Sequence, residues 1–251
     1  MGDAPARVGA SPAAAAALDR FFDAFYRQRP VSATFTGLHQ HDSALPDWSP
    51  AGLARAADEM RGLRRDLDGA GRVPDDLVTE FPVQVDLALA DGALEIALAE
   101  HESGHFVHRN PSLWTGEAIF GVLSLVTRDF APAADRLEHA RARLAAVPDF
   151  MAQARHVISA APVEWTSRAK SECRTAAALF GETLPAWVAT QPGADAPAWS
   201  AAAQGAAQAF VAFDGWLDEV TANDVSHGTA RASAVPAGDG AGPELLDLLL
   251  R

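Results

Sequence analysis

The sequence predicts an all-α protein, an irregular multi-helix bundle, and three observations carry that expectation. Alanine and leucine dominate the aliphatic residues, isoleucine is scarce and tyrosine occurs once, a balance that favours helices over strands. Apolar residues recur at spacings of three and four through most of the chain. Ser11-Pro12 and Ser49-Pro50 each place a capping hydroxyl before a proline, the pattern of a helix start. With 251 residues, 49% of them hydrophobic, there is material for a sizeable core.

Taken in order, residues 1–10 read as a flexible leader. A first helix starts at Pro12, carries Leu18, Phe21, Phe22 and Phe25 at helical spacing, and stops at Pro30. The stretch VSATFTGLHQHDSALPDWSP (31–50) holds prolines, a glycine and clustered Asp and Ser, so it reads as a loop or a broken turn of helix. Its length makes it a candidate functional segment. A second helix follows Ser49-Pro50, with Leu53, Ala57, Met60, Leu63 and Leu67 opposite Arg55, Asp58, Arg61 and Arg65.

The segment from about Thr79 to His108 reads as one long helix with Val85, Leu89, Ala93, Ile96 and Ala99 on one side, ended by Asn110-Pro111. Residues 118–126 are almost uniformly apolar, as in a buried central helix. Pro132 and Pro148 are expected to open two further helices, and helices over about 164–190 and 199–221 complete a single domain over 11–222. A Gly/Ala-rich flexible linker is expected over 223–243, and GPELLDLLLR, with residues 244–251, reads as the start of a further helix.

The net charge of −13 and pI near 4.9 disfavour nucleic acid and anionic membrane surfaces as partners. A lone Cys173 excludes an internal disulfide and a cysteine-based zinc finger. No segment has the character of a signal peptide or a transmembrane span, so a cytoplasmic location is expected. Neither a Gly-rich phosphate loop nor a G-x-S-x-G elbow is present.

The stretch HESGHFVHRNP (101–111) matches the H-E-x-x-H pattern of zinc peptidases. On a continuous helix His101 and His105 stand one turn apart on one face, and Glu102 is placed to polarise a zinc-bound water. His108 would lie about 10 Å from His101 along such a helix, too far to share the ion. Glu117, Asp129, His39 and His41 remain as sources of a third ligand. The alternative is a polar helix end whose histidines face the C-terminal dipole. Arg109 and Asn110 can bind a substrate carboxylate or make the turn and cap, and HQHD, with His39 and His41, can line a cleft or form a solvated loop.

Several blocks in order carry a family resemblance: RPVSATFTGLHQHD, LPDWSPAG, RNPSLWTGEAIFGVLSLVTRDFAP and RLAAVPDFMAQAR. Together they resemble the bacterial proteins grouped as domain of unknown function 885, over most of residues 18–222. The resemblance implies a mostly helical protein about twice this length, similar to zinc metallopeptidases of the helical zincin type. Their presumed metal motif, H-E-x-x-P-G-H-H, belongs to a second half that would lie beyond residue 251. The expectation is therefore the N-terminal half of a metallopeptidase-like hydrolase, truncated or split, acting as scaffold or cleft wall and needing no cofactor to fold. Its expected partner is the C-terminal half or a second chain, and the exposed docking face would also permit homo-oligomers. Two alternatives are a free-standing zinc-dependent hydrolase using His101, Glu102 and His105, and a non-enzymatic helical binding module built on the 30–50 segment.

Overall fold

A computed structural model describes residues 11–70, 81–192 and 194–227, with backbone alone at 81–82 and 221–227. The expected leader, the terminal helix and residues 228–243 of the expected linker lie outside the described residues. The described residues form an all-α bundle: α1 (Pro12–Gln28), α2 (Pro30–Thr36), α3 (Pro50–Gly69), α4 (Phe81–Glu102), α5 (Pro111–Val126), α6 (Ala133–Val157), α7 (Val163–Ala178), α8 (Leu184–Val188) and α9 (Ala196–His227). A 3-10 turn (Phe106–His108) lies between α4 and α5, and a π-turn (Leu179–Thr183) joins α7 to α8.

The predicted caps are realised. The Ser11 hydroxyl accepts from Ala14 N at 3.1 Å, and Ser49 does the same for Gly52 at 3.0 Å. Asn110 Oδ1 accepts from Ser112 N at 3.0 Å and so starts α5. The apolar stripes then gather into two clusters. One joins α1, α3 and α4 through Leu18, Phe21, Met60, Leu63, Leu87 and Leu94. The other joins α5 to α9 through Trp114, Leu144, Phe150, Phe180, Phe210 and Phe213.

Four expectations change. The chain breaks after α4, so no helix runs through to His108. The buried face of α4 is Val83, Leu87, Ala90, Leu94, Ala97 and Leu98, while Val85 and Leu89 are exposed, Leu89 at 67%. That helix is apolar around most of its girth, so periodicity cannot choose between its faces; the positions of α1 and α3 do. Pro148 opens no new helix but sits inside α6, its missing N–H leaving the Leu144 carbonyl without its usual helical donor. Packing between α5 and α9 holds α6 together across that gap. Finally, α9 continues to His227, so the first five residues of the expected linker are helical.

Two contacts fix the segments that carry the candidate residues. The 31–45 segment is drawn against α5 at Gly121, where an added Cβ would stand 3.0 Å from Val31 Cγ2 and 3.1 Å from Leu45 Cδ2. Any side chain there would push the segment away. The indole Nε1 of fully buried Trp114 donates to Val107 O at 2.9 Å and pins the turn that follows α4 onto α5.

Candidate functional site

The helix ends inside HESGH. α4 stops at Glu102, Gly104 takes φ 67 and Phe106 φ 48, both in the left-handed region. His105 therefore leaves the helix in an extended conformation (φ −92, ψ −150) and no longer stands one helical turn above His101. The two-ligand geometry expected of a continuous helix is absent. The same reversal brings in the residue that a straight helix would hold away: the His101 and His108 rings lie 6.3 Å apart.

Glu102, the expected general base, is 61% exposed and pairs with Arg61 Nη2 at 3.0 Å. His108 is held through its ring to the Val157 backbone and through its carbonyl by Ser159 N at 3.0 Å. Burial lowers the pKa of both His105 and His108 below the usual imidazole value, with Arg109 adding to the effect at His105 and His101 at His108. His105 Nδ1 is buried without a hydrogen-bond partner. Among the described residues no three His, Cys, Asp or Glu side chains converge as a metal site.

The second candidate region is better built. Asp42 is 2% exposed, and its Oδ2 lies 3.0 Å from His39 Nδ1. An ionised carboxylate only accepts, so in this pair Nδ1 is the donor. The His39 ring lies flat against Phe130, with centroids 3.9 Å apart and planes within 7°. Thr34 Oγ1 donates to Asp42 Oδ1 at 2.5 Å and receives Arg143 Nη2 at 2.7 Å. His41 enters only through its backbone: its carbonyl accepts from Arg143 at 3.4 Å.

Arg143 is the centre of this region, and sequence reasoning missed it. It lies about a hundred residues from the segment it holds, on the inward face of α6, and is fully buried. Its guanidinium donates to the carbonyls of Ala44 (2.9 Å), Gly121 (2.6 Å) and Pro30 (3.1 Å) besides Thr34 and His41. One side chain thus clips α2, the following loop, α5 and α6 together. Burial pushes its pKa down to about 10, against the opposing pull of Asp42 and Glu117.

Charges of alternating sign run from this clip to the end of α4. Arg143 interacts with Glu117, Glu117 with Arg29, and Arg29 with Glu100, the residue before His101. Burial drives Glu117 up to about 7, partly opposed by Arg143 and Arg29, and raises Glu100 in the same direction. Burial lowers Arg29 despite both carboxylates. The row Glu100, Arg29, Glu117, Arg143, Asp42, His39 connects the two candidate regions through the interior. Arg109 acts electrostatically on His105, and Asn110 is committed to capping α5. Only the HQHD part of the row has a local sequence pattern; the rest comes from α4, α5, α6 and the junction between α1 and α2.

No helix among the described residues is long and apolar enough to cross a membrane. The comparison with curated proteins returns no match. Among solved structures, the chain is similar to a protein from Shewanella oneidensis described as a "putative lipoprotein of unknown function", with a TM-score of 0.73 and 22% identity over 89% of this chain. At that identity the likeness shows the fold alone. The chain spans 40% of the length of that neighbour. A family model described as "Bacterial protein of unknown function (DUF885)" matches residues 30–246, from the start of α2 past the end of α9, and the chain therefore belongs to that family.

Proposed function

We propose that this chain is a scaffold and cleft wall for a metallopeptidase-like hydrolase whose catalytic metal motif is supplied by a C-terminal half or a second chain. The observation that carries the reading is the chain reversal inside HESGH, which takes His105 off the helix and leaves Glu102 exposed against Arg61. A peptidase helix of this kind needs both histidines on one face and its glutamate turned to the ion. The buried and half-buried charged row supports the same reading, because it places oriented polar groups on a rigid framework without assembling a complete catalytic set. Exposed Phe35 and Phe120, whose rings are 5.5 Å apart, offer an apolar patch to the proposed partner. The assembly is proposed to act in the cytoplasm.

The rival is a free-standing zinc hydrolase on His101, Glu102 and His105. Metal analysis of the purified protein separates the two. The proposal expects no stoichiometric zinc and no change in metal content for His105→Ala. One zinc per chain in the wild type, lost in His105→Ala, would sink it.

A further inference from the structure

One stripe of α5 lacks a covering helix among the described residues. Gly116, Ile119, Phe120 and Leu123 recur along it at spacings of three and four, and with Ser171 and Thr175 of α7 they line an open groove of about 320 Å3. Phe120 is 44% exposed, and Ile119 and Leu123 are half-buried. Gly116 faces open space: among the described residues, a Cβ added there would meet nothing within 4 Å. An apolar stripe with room for a neighbour's side chains is the surface into which a second helix lays its own apolar ridge.

The course of α9 brings an occupant within reach. α9 runs antiparallel to α7: Lys170 meets Asp214 at 3.2 Å and Asp218 at 2.7 Å, while a Cβ at Gly181 would stand 3.6 Å from that of Ala207. Its last residue, His227, therefore lies about 15–20 Å along the bundle from the level of Ser171 and Thr175. Residues 228–242, fully extended, can span about 50 Å. They lead to PELLDLLLR (243–251). In a helical register that opens with Pro243, Leu245, Leu246, Leu248, Leu249 and Leu250 share one broad side, and Glu244, Asp247 and Arg251 share the other.

We propose that residues 244–250 of this chain dock as a helix in the groove between α5 and α7, their leucines against Ile119, Phe120 and Leu123 and one of them in the space over Gly116. Tethering makes modest contacts sufficient, because a short linker holds its segment at an effective concentration of the order of millimolar. Docking there covers Phe120 from the α7 side and leaves Phe35, on α2, to the proposed partner. The occupant belongs to the same chain, so the inference needs neither a metal nor a second polypeptide and stands or falls independently of the assembly proposed above.

The test is photo-cross-linking in the full chain, with p-benzoylphenylalanine replacing Leu246 and the cross-linked peptides of the monomeric product mapped by mass spectrometry. Cross-links are expected on α5 and α7 around Gly116, Phe120 and Thr175. Gly116→Leu fills the opening where a Cβ meets no neighbour, and it should reduce those cross-links about fivefold or more. Leu245→Ser combined with Leu249→Ser strips the docking side from the segment itself and should give the same loss, which keeps the test decisive if Gly116→Leu fails to fold. Cross-links that join two chains would make a second copy the occupant and overturn the proposal. So would cross-links confined to other helices, or groove cross-links that persist at wild-type yield in a folded Gly116→Leu or in the serine double variant.

Discussion

The two apolar clusters of this bundle are packed differently. Around α5 to α9 the large side chains Trp114, Phe180, Phe210, Phe213, Leu144 and Leu217 are wholly withdrawn from solvent, because α5 and α6 each have neighbours on more than one side. In the α1, α3 and α4 cluster the large residues Met60, Leu63, Leu67, Leu87 and Leu98 each keep a few per cent of their surface exposed. Only Leu18 among the large residues of this cluster is wholly enclosed, because three helices cover a side chain on fewer sides than the five helices α5 to α9 do. Layer number, more than apolar content, sets how completely a residue is buried, and α2 with Arg143 ties the thinner region to the thicker one.

That comparison predicts a ranking of effects. The largest is expected at the tie. Arg143→Ala would strip the acceptors of α2, the loop and α5 of their shared donor and leave Asp42 buried without its cation, a loss of about 3–5 kcal/mol. Chemical denaturation should then show the two clusters unfolding separately. A single unchanged transition in Arg143→Ala would mean that α2 is not the tie.

Next come truncations within the clusters. Phe210→Ala should cost about 3–5 kcal/mol, and Met60→Ala should fall at the low end of about 2–5 kcal/mol, because a site next to solvent collapses more easily. Native-state hydrogen exchange should follow the same order, with amides of α3 and α4 exchanging before those of α6 and α9. Equal protection of all four helices would erase the distinction.

A smaller effect concerns Glu117 at the seam. Its folded pKa, near 7, is raised above the ordinary carboxylate value of 4.5. Stability from the neutral form is therefore full below about 4.5 and is lost as pH rises through about 7. Glu117→Gln should remove that slope and stabilise the protein at mildly alkaline pH by on the order of 1–3 kcal/mol, read as melting temperature against pH. His105 and His108, with lowered pKa values, act in the opposite direction: the stability they contribute is present above about 6.5 and lost as pH falls. A profile for Glu117→Gln that parallels the wild type would place the titrating group elsewhere.

The smallest effect is expected for Glu102→Gln. Its pair with Arg61 is solvent-exposed, so screening leaves little to lose and the melting temperature should match the wild type within error. A clear destabilisation would show that the end of α4 depends on that pair.

Local signals were legible where physics is local. Ser11, Ser49 and Asn110 cap helices because a hydroxyl or amide precedes a proline, and the uniform apolarity of 118–126 does mark a central helix. The HQHD segment could be flagged, since its turn residues and histidines adjoin, but Arg143 could not, since nothing near it in sequence mentions residues 30–44. HESGH is a pattern satisfied by residue types alone. Whether the helix continues past Glu102 is decided by Gly104, Phe106 and the hold of Trp114 on Val107.

What the sequence determined by itself is therefore the helical class, the starts of α1 and α3, and which residues have the chemistry to matter. The tertiary structure alone decided which face of apolar α4 turns inward, that α6 runs through Pro148, that Phe120 and Trp187 stay exposed, and that Glu100, Arg29, Glu117, Arg143, Asp42 and His39 stand in one row. The reason is the range of the interactions. Caps and periodicity act over a few residues, whereas burial and charge pairing depend on which helices meet, and those helices lie far apart along the chain.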